Sequence, residues 1–251
     1  MRLLKYDDDG ELGLVSFDGD FIPPYAILSH RWESEEVLFK EMIDSTGKSK
    51  AGYRKIKFCG EQAKRDDLEY FWVDTCCIDK SDSTELTEAI TSMFRWYQSA
   101  SKCYVCLSDV SKLPSATADT STEPWESIFR NSSWFTRGWT LQELIAPSSV
   151  DFFSKEGELL GDKNSLERHI CEVTGIPTEA LRGGSLSDFS IAERMSWAEK
   201  RETTRKEDIA YSLLGIFDVN MPLYYGEGRE KALKRLREEI DKASKGRLFF
   251  F

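Results

Sequence analysis

The stretch YAILSHRW, residues 25–32, starts as an apolar run of strand length and ends on a serine, a histidine, an arginine and a tryptophan. Three further runs have the same character: Tyr70-Phe-Trp-Val-Asp74, Cys103-Tyr-Val-Cys-Leu107 and Val150-Asp-Phe-Phe153. Segments with helical spacing lie between them. From Ser83 to Ala100, Leu86, Ile90, Met93, Phe94 and Tyr97 repeat along one face, behind Ser83 as an expected N-cap. From Ala51 to Leu68, Ile56, Cys59 and Ala63 point inward. Strands alternating with helices imply right-handed crossovers and a mostly parallel α/β sheet covered on both faces. Ligands of such sheets sit at the carboxyl ends of the strands. Those ends read Ser29-His30-Arg31-Trp32, then Asp74 to Asp79, then Ser108-Asp109, so polar and aromatic groups converge on one rim.

With 251 residues, 40% of them hydrophobic, the chain has enough apolar material for a proper core. No apolar run approaches the roughly 20 residues of a membrane span. The opening MRLLKYDDDG is too short in its apolar part and too acidic to read as a secretory signal, which gives a cytoplasmic expectation. A net charge of −10 argues against nucleic acid as a partner, because the phosphate backbone would oppose approach. Residues 199–251 are nearly balanced, so the tail is not a polybasic membrane anchor. Of the six cysteines, Cys103 and Cys106 have the spacing of half a zinc site, but the second half is missing and residues three apart on a strand face opposite ways. Buried thiols in a reducing compartment, with no metal, is the better reading.

Val110 to Pro124 is rich in Ser, Thr, Pro and Asp and reads as an exposed loop. After Asp162 the pattern turns helical, which divides the chain into a core, 1–160, and a helical C-terminal extension, 161–251, packed on it. Thr204-Arg-Lys-Glu207 has the form of a capping box opening a helix from Arg205 to Phe217, and Arg229 to Ala243 is a charged amphipathic helix. Arg201 and Arg205 at that helix start suit either an anion or acidic residues of the first half; pairing that fastens the extension to the sheet is the favoured reading. Trp197, Tyr211, Leu213, Leu214, Ile216 and Phe217 would be its apolar face. The final Arg247-Leu-Phe-Phe-Phe251 suggests exposed aromatics, on a small stand-alone protein or the effector end of a longer receptor. There is no Gly-rich phosphate loop, so a nucleotide hydrolase is poorly supported.

In WFTRGWTLQEL, residues 134–144, Trp139 and Glu143 stand four apart on one helical face, where an indole and a carboxylate address the same small volume. Taken alone, the pair reads as a core tryptophan beside a solvated glutamate. Together, "PPYAILSHRW", "YFWVDTCCID", "WFTRGWTLQELIAP" and "RETTRKEDIAYSLLGIFDVNMPLYYGEG" resemble a HET domain, the fungal heterokaryon-incompatibility module that triggers cell death when non-self is sensed. The likeness covers nearly the whole chain. HET domains are in turn distantly similar to TIR domains, which implies a flavodoxin-like sheet over about Phe21 to Lys155. Its carriers are "ILSHRW", similar to the first-strand motif, and "WTLQEL", similar to the Trp-Cys-x-x-Glu motif whose Glu is catalytic in TIR domains that cleave NAD. Thr140 stands where many TIR domains have Cys, and Arg31-Trp32-Glu33 replaces the usual Gly-Glu-Asp.

The resemblance implies an NAD glycohydrolase, with NAD as substrate and no further cofactor. Glu143 would be the catalytic carboxylate. Trp139 would pack against nicotinamide or shape its pocket; Ser29, His30, Arg31 and Trp32 would contact ribose or phosphate; Asp74 and Asp79 would line the second-strand loop. Arg31 could instead pair with Asp74, Asp79 or Asp109. Breaking the nicotinamide–ribose bond releases a neutral group from a cation and needs no general acid, so one carboxylate suffices, which suits a chain with two histidines. The resemblance also implies self-association for activity and an upstream sensor as partner. The competing expectation is a module without catalysis that triggers death by assembling with partners; fold alone cannot separate the two.

Overall fold

A computed structural model describes residues 1–17, 21–112 and 125–247. Seven strands form one sheet: β1 (Arg2–Tyr6), β2 (Leu12–Ser16), β3 (Tyr25–His30), β4 (Tyr70–Trp72), β5 (Lys102–Cys106), β6 (Val150–Phe153) and β7 (Leu159–Asp162). Their order is β2-β1-β4-β3-β5-β6-β7. The middle four, the runs that open the sequence reading, are parallel. All six residues of β3 are buried, which is what a central parallel strand covered on both faces requires. The edges are antiparallel additions, with a β1–β2 hairpin beside β4 and β7 folding back on β6.

Helix α1 (Tyr53–Arg65) connects β3 to β4, and α2 (Ser83–Ser99) connects β4 to β5. The first connection steps outward from β3 and the second steps back across it, so two right-handed crossovers place these helices on opposite faces. Helix α1 buries Ile56, Cys59 and Ala63, as expected. Helix α2 is capped one residue earlier than expected: the side chain of Asp82 accepts from the amides of Thr84 and Glu85, and Ser83, the expected cap, is the first helical residue. The strand order second-first-third-fourth is that of the flavodoxin type of sheet, whose switch point lies beside the first parallel strand, here β3. The Val110–Pro124 loop lies largely outside the described residues, as do the terminal aromatics.

The C-terminal region packs on the α2 side, where α3 (Thr140–Ile145) also lies, and contains α4 (Asp208–Tyr211), α5 (Leu214–Phe217) and the long α6 (Arg229–Arg247). Its expected apolar face, from Trp197 to Phe217, is buried throughout. Two expectations here need correction. No helix runs unbroken from Arg205 to Phe217, and Thr204 caps nothing, because the Glu207 carboxylate is taken by the amides of Gly226 and Gly228 at 2.9 and 2.8 Å. Nor does Arg201 form an ion pair among the described residues. It is 3% exposed and donates to Trp197 O, Arg137 O and the Thr140 hydroxyl at 3.1, 2.9 and 2.9 Å. The fastening is therefore made on backbone carbonyls, reinforced by Glu202, whose amide donates to Thr136 O at 2.6 Å and whose carbonyl accepts from Gly138 at 2.8 Å.

That seam demands glycine at 138, where a Cβ would lie 2.4 Å from Thr203 Cγ2. A second close approach occurs where α5 crosses α2: a Cβ on Gly215 would lie 2.1 Å from Phe94 Cβ. Gly215→Ala is expected to cost about 1–3 kcal/mol by forcing the two helices apart, read as a lower urea midpoint for unfolding. An unchanged midpoint would mean that α5 does not press on α2.

Candidate active site

At the carboxyl end of β3 the chain leaves Ser29 and His30 polar and fully enclosed. The Ser29 hydroxyl accepts from the Trp134 indole N–H at 2.9 Å and donates to Glu143 Oε2 at 2.5 Å. Trp134 reaches it from a 3-10 turn, Ser133–Thr136, that Asp109 anchors: its carboxylate accepts from the Ser132 and Ser133 hydroxyls and the Ser133 amide at 2.6–2.7 Å. Thr140, first residue of α3, donates to Trp134 O at 2.6 Å. The turn, the strand end and α3 are thus tied together, and Glu143 is aimed inward.

Glu143 borders a cleft of about 280 Å³. His30, Trp32, Asp74, Trp139 and Glu143 all line it. Ser29 stands directly behind Glu143. Two of the expected site residues are elsewhere. Arg31 is exposed and pairs with none of the three aspartates considered for it, because the chain turns away after His30 and offers only the Arg31 carbonyl to Lys55 Nζ. Asp79 turns back on its own loop, accepting from the amide and hydroxyl of Ser81 at 3.0 and 2.6 Å.

Asp74 organises one wall. Its carboxylate accepts from His30 Nε2 at 3.0 Å and Trp32 Nε1 at 2.7 Å, with Lys80 Nζ at 3.8 Å. Because a carboxylate only accepts, the His30 proton belongs on Nε2. Burial alone would raise the Asp74 carboxyl; the positive charge of Lys80 and the His30 and Trp32 bonds overrule it and hold it well below the usual carboxylate range. Lys80 lies 3.4 Å from the centre of the Trp32 ring, a cation–π contact that fixes the indole face.

Asp208 organises a second group of lining residues, from a segment far away in sequence. Its two oxygens accept from Trp139 Nε1 at 3.1 Å and Tyr225 Oη at 2.9 Å, so one carboxylate sets two aromatic rings. Arg205 lies over the Tyr225 ring at 4.2 Å. Burial raises the Asp208 carboxyl, and the bonds from Trp139 and Tyr225 act against that. Asp208, Tyr225, Lys80 and Arg137 also line the cleft and were not among the residues expected there, and Tyr97, expected only on the apolar face of its helix, lines it too. A larger hollow of about 800 Å³ between α2 and the C-terminal region contains none of the expected site residues. Among the described residues, no group of three or more His, Cys, Asp and Glu is placed to hold a metal ion.

Residues 25–123 match the family described as "Heterokaryon incompatibility protein (HET)". Ser29, His30, Trp32, Asp74 and Lys80 fall inside the matched residues, whereas Trp139, Glu143 and Asp208 lie beyond them. The chain is also 61% identical, over 246 residues, to "Vegetative incompatibility protein HET-E-1" of Podospora anserina, an alignment that covers 96% of this chain and 18% of that protein. The chain therefore spans less than a fifth of the curated relative it matches. No solved structure matches it. Among the described residues no helix is long and apolar enough to cross a membrane.

Burial dominates the Glu143 carboxyl and, despite the Ser29 bond, pushes its pKa up to about 8. Nearby Asp74 adds to the rise, and Arg137 opposes it. At neutral pH the folded chain keeps this proton, while an unfolded chain loses it near 4.5. The folded state then binds more protons, so stability falls as pH rises from about 4.5 towards 8 and levels off above. Glu143→Gln should remove that slope. Relative to the parent, the variant is expected to gain roughly 2–4 kcal/mol between pH 5 and pH 8 in urea titrations. A pH-independent difference would show that Glu143 ionises normally.

Proposed function

We propose that this chain is the cell-death module of a fungal incompatibility protein and that it acts in the cytoplasm by cleaving NAD at the nicotinamide–ribose bond. The carrying observation is a buried carboxyl group held in its neutral form, Glu143, that lines a cleft together with Trp32 and Trp139 at the carboxyl end of a parallel strand. The name of the Podospora relative supports the incompatibility role, and the TIR-like reading of "WTLQEL" supports the reaction. A volume of about 280 Å³ suits the nicotinamide–ribose half of the dinucleotide, with the remainder crossing the mouth.

The chemistry follows from the protonation state. In the empty cleft Glu143 is neutral; the nicotinamidium cation favours its ionised form when it enters, and the carboxyl releases its proton to solvent. The C1′–N bond then breaks with its electron pair leaving on neutral nicotinamide, and the carboxylate faces the positive charge that develops on the ribose. Water adds its oxygen to C1′ and yields a proton to Glu143, whose high proton affinity makes it an effective base at neutral pH. Trp139, held by Asp208, keeps the ring in place. Activity by self-association, and control by sequences like those that make up the rest of the longer relative, complete the reading.

A second reading, a partner-binding module without catalysis, draws on the Ser29 bond that already occupies Glu143 and would suit a purely structural acid. NAD consumption separates the two. Wild-type protein is expected to deplete NAD and release nicotinamide, with kcat/KM rising about tenfold per pH unit up to about 8. Folded Glu143→Gln should lose at least about 100-fold. A folded Glu143→Gln protein that still kills cells would leave only the second reading.

A further inference from the structure

Arg137 stands out among the groups lining the cleft, because among the described residues its guanidinium has no hydrogen-bond or ion-pair partner. It is half-buried, and its backbone is fixed on both sides: its amide donates to Trp134 O at 3.3 Å and its carbonyl accepts from Thr140 Oγ1 and Arg201 Nη1, both at 2.9 Å. A bridge to Glu202 holds the same residue from the C-terminal region. So constrained a backbone leaves the side chain little freedom of direction, and the guanidinium lines the cleft.

The other cations of the cleft are engaged. Lys80 is held between Asp74 and the Trp32 ring, and Arg205 covers Tyr225. Among the described residues, the Arg137 guanidinium makes no hydrogen bond and no ion pair. The acidic group whose charge it senses is Glu143, which keeps its proton at neutral pH and offers no negative charge. A partly dehydrated guanidinium with five unused donors is costly in the empty protein and is well shaped for bidentate contact with a phosphate. Thr204 and Arg205 also line the cleft and add a hydroxyl and a second positive charge.

We infer that Arg137 binds a phosphate group of the substrate, so that the cleft selects a phosphate-bearing pyridine nucleotide over the corresponding nucleoside. The inference rests on the NAD-cleaving reading for its choice of nucleotide. It assigns Arg137 a specificity role that the likeness to "WTLQEL" does not contain. Glu143 would act on the ribose, and Arg137, close enough to influence its ionisation, would hold the phosphate attached to that ribose.

The test compares NAD with nicotinamide riboside, which carries the same scissile bond and no phosphate. In Arg137→Gln, checked for folding, kcat/KM for NAD is expected to fall about 10- to 100-fold while that for the riboside changes less than about threefold. Arg137→Lys should fall in between, because it keeps the charge and loses the fork; it also serves if the Gln variant does not fold. Equal losses on both substrates would overturn the inference and leave Arg137 acting only on Glu143. If the wild type cleaves neither substrate, the proposed reaction fails, and titration with ADP-ribose by calorimetry decides the inference separately. Binding weakened at least about tenfold in Arg137→Gln and partly restored by Lys would sustain a phosphate site; absent or unchanged binding would refute it.

Discussion

The hydrogen bond from Ser29 to Glu143 joins the end of the central strand to α3, and most of the site depends on it. Ser29 is positioned because β3 is enclosed on both faces and cannot rotate a polar residue out to water. Trp134 satisfies the remaining valence of the hydroxyl, and Asp109, at the end of the neighbouring strand, fixes the turn that carries Trp134. A carboxyl group so enclosed is cheaper to keep neutral than charged. The elevated proton affinity of Glu143 is therefore a consequence of where β3 ends.

The C-terminal region is structurally part of this arrangement. Asp208 and Tyr225 form a wall of the cleft, and Arg201 and Glu202 hold the backbone around Arg137 and Gly138. The buried Arg201 guanidinium, without an ion pair among the described residues, has its pKa depressed by burial to about 9, with Glu143 pulling it back upward. Two positively charged residues, Arg137 and Arg201, thus act on a neutral acid, an arrangement in which an anionic ligand or an ionised Glu143 gains more than it would in water.

The four parallel strands were legible because each is a continuous apolar run bounded by polar residues, and the contacts that define them are repeated along the run. The β1–β2 hairpin and β7 were not foreseen: edge strands are only half-buried, and Arg2–Tyr6 and Leu12–Ser16 mix charge with apolar residues around an acidic turn. In the cleft, the residues at strand ends and on the Trp139–Glu143 face were visible from spacing. Arg31 and Asp79 were adjacent to the right positions, but the direction of a side chain after a strand end is set by loop bonds that no local pattern encodes. Asp208 and Tyr225 lie 69 and 86 residues beyond Trp139; only the folded chain reveals that one carboxylate serves both rings. Glu207 misled for a related reason, since its carboxylate prefers two glycine amides brought from residues 226–228.

The central claim is that Glu143 is neutral at physiological pH in the empty cleft. Its most direct test is a carbon NMR titration of protein labelled at the glutamate side-chain carboxyls, with the Glu143 signal assigned by its disappearance in Glu143→Gln. One carboxyl titrating near pH 8, well separated from the rest, is the result this account requires. A Glu143 signal that titrates with the surface glutamates, near their ordinary value of about 4.3, would contradict it.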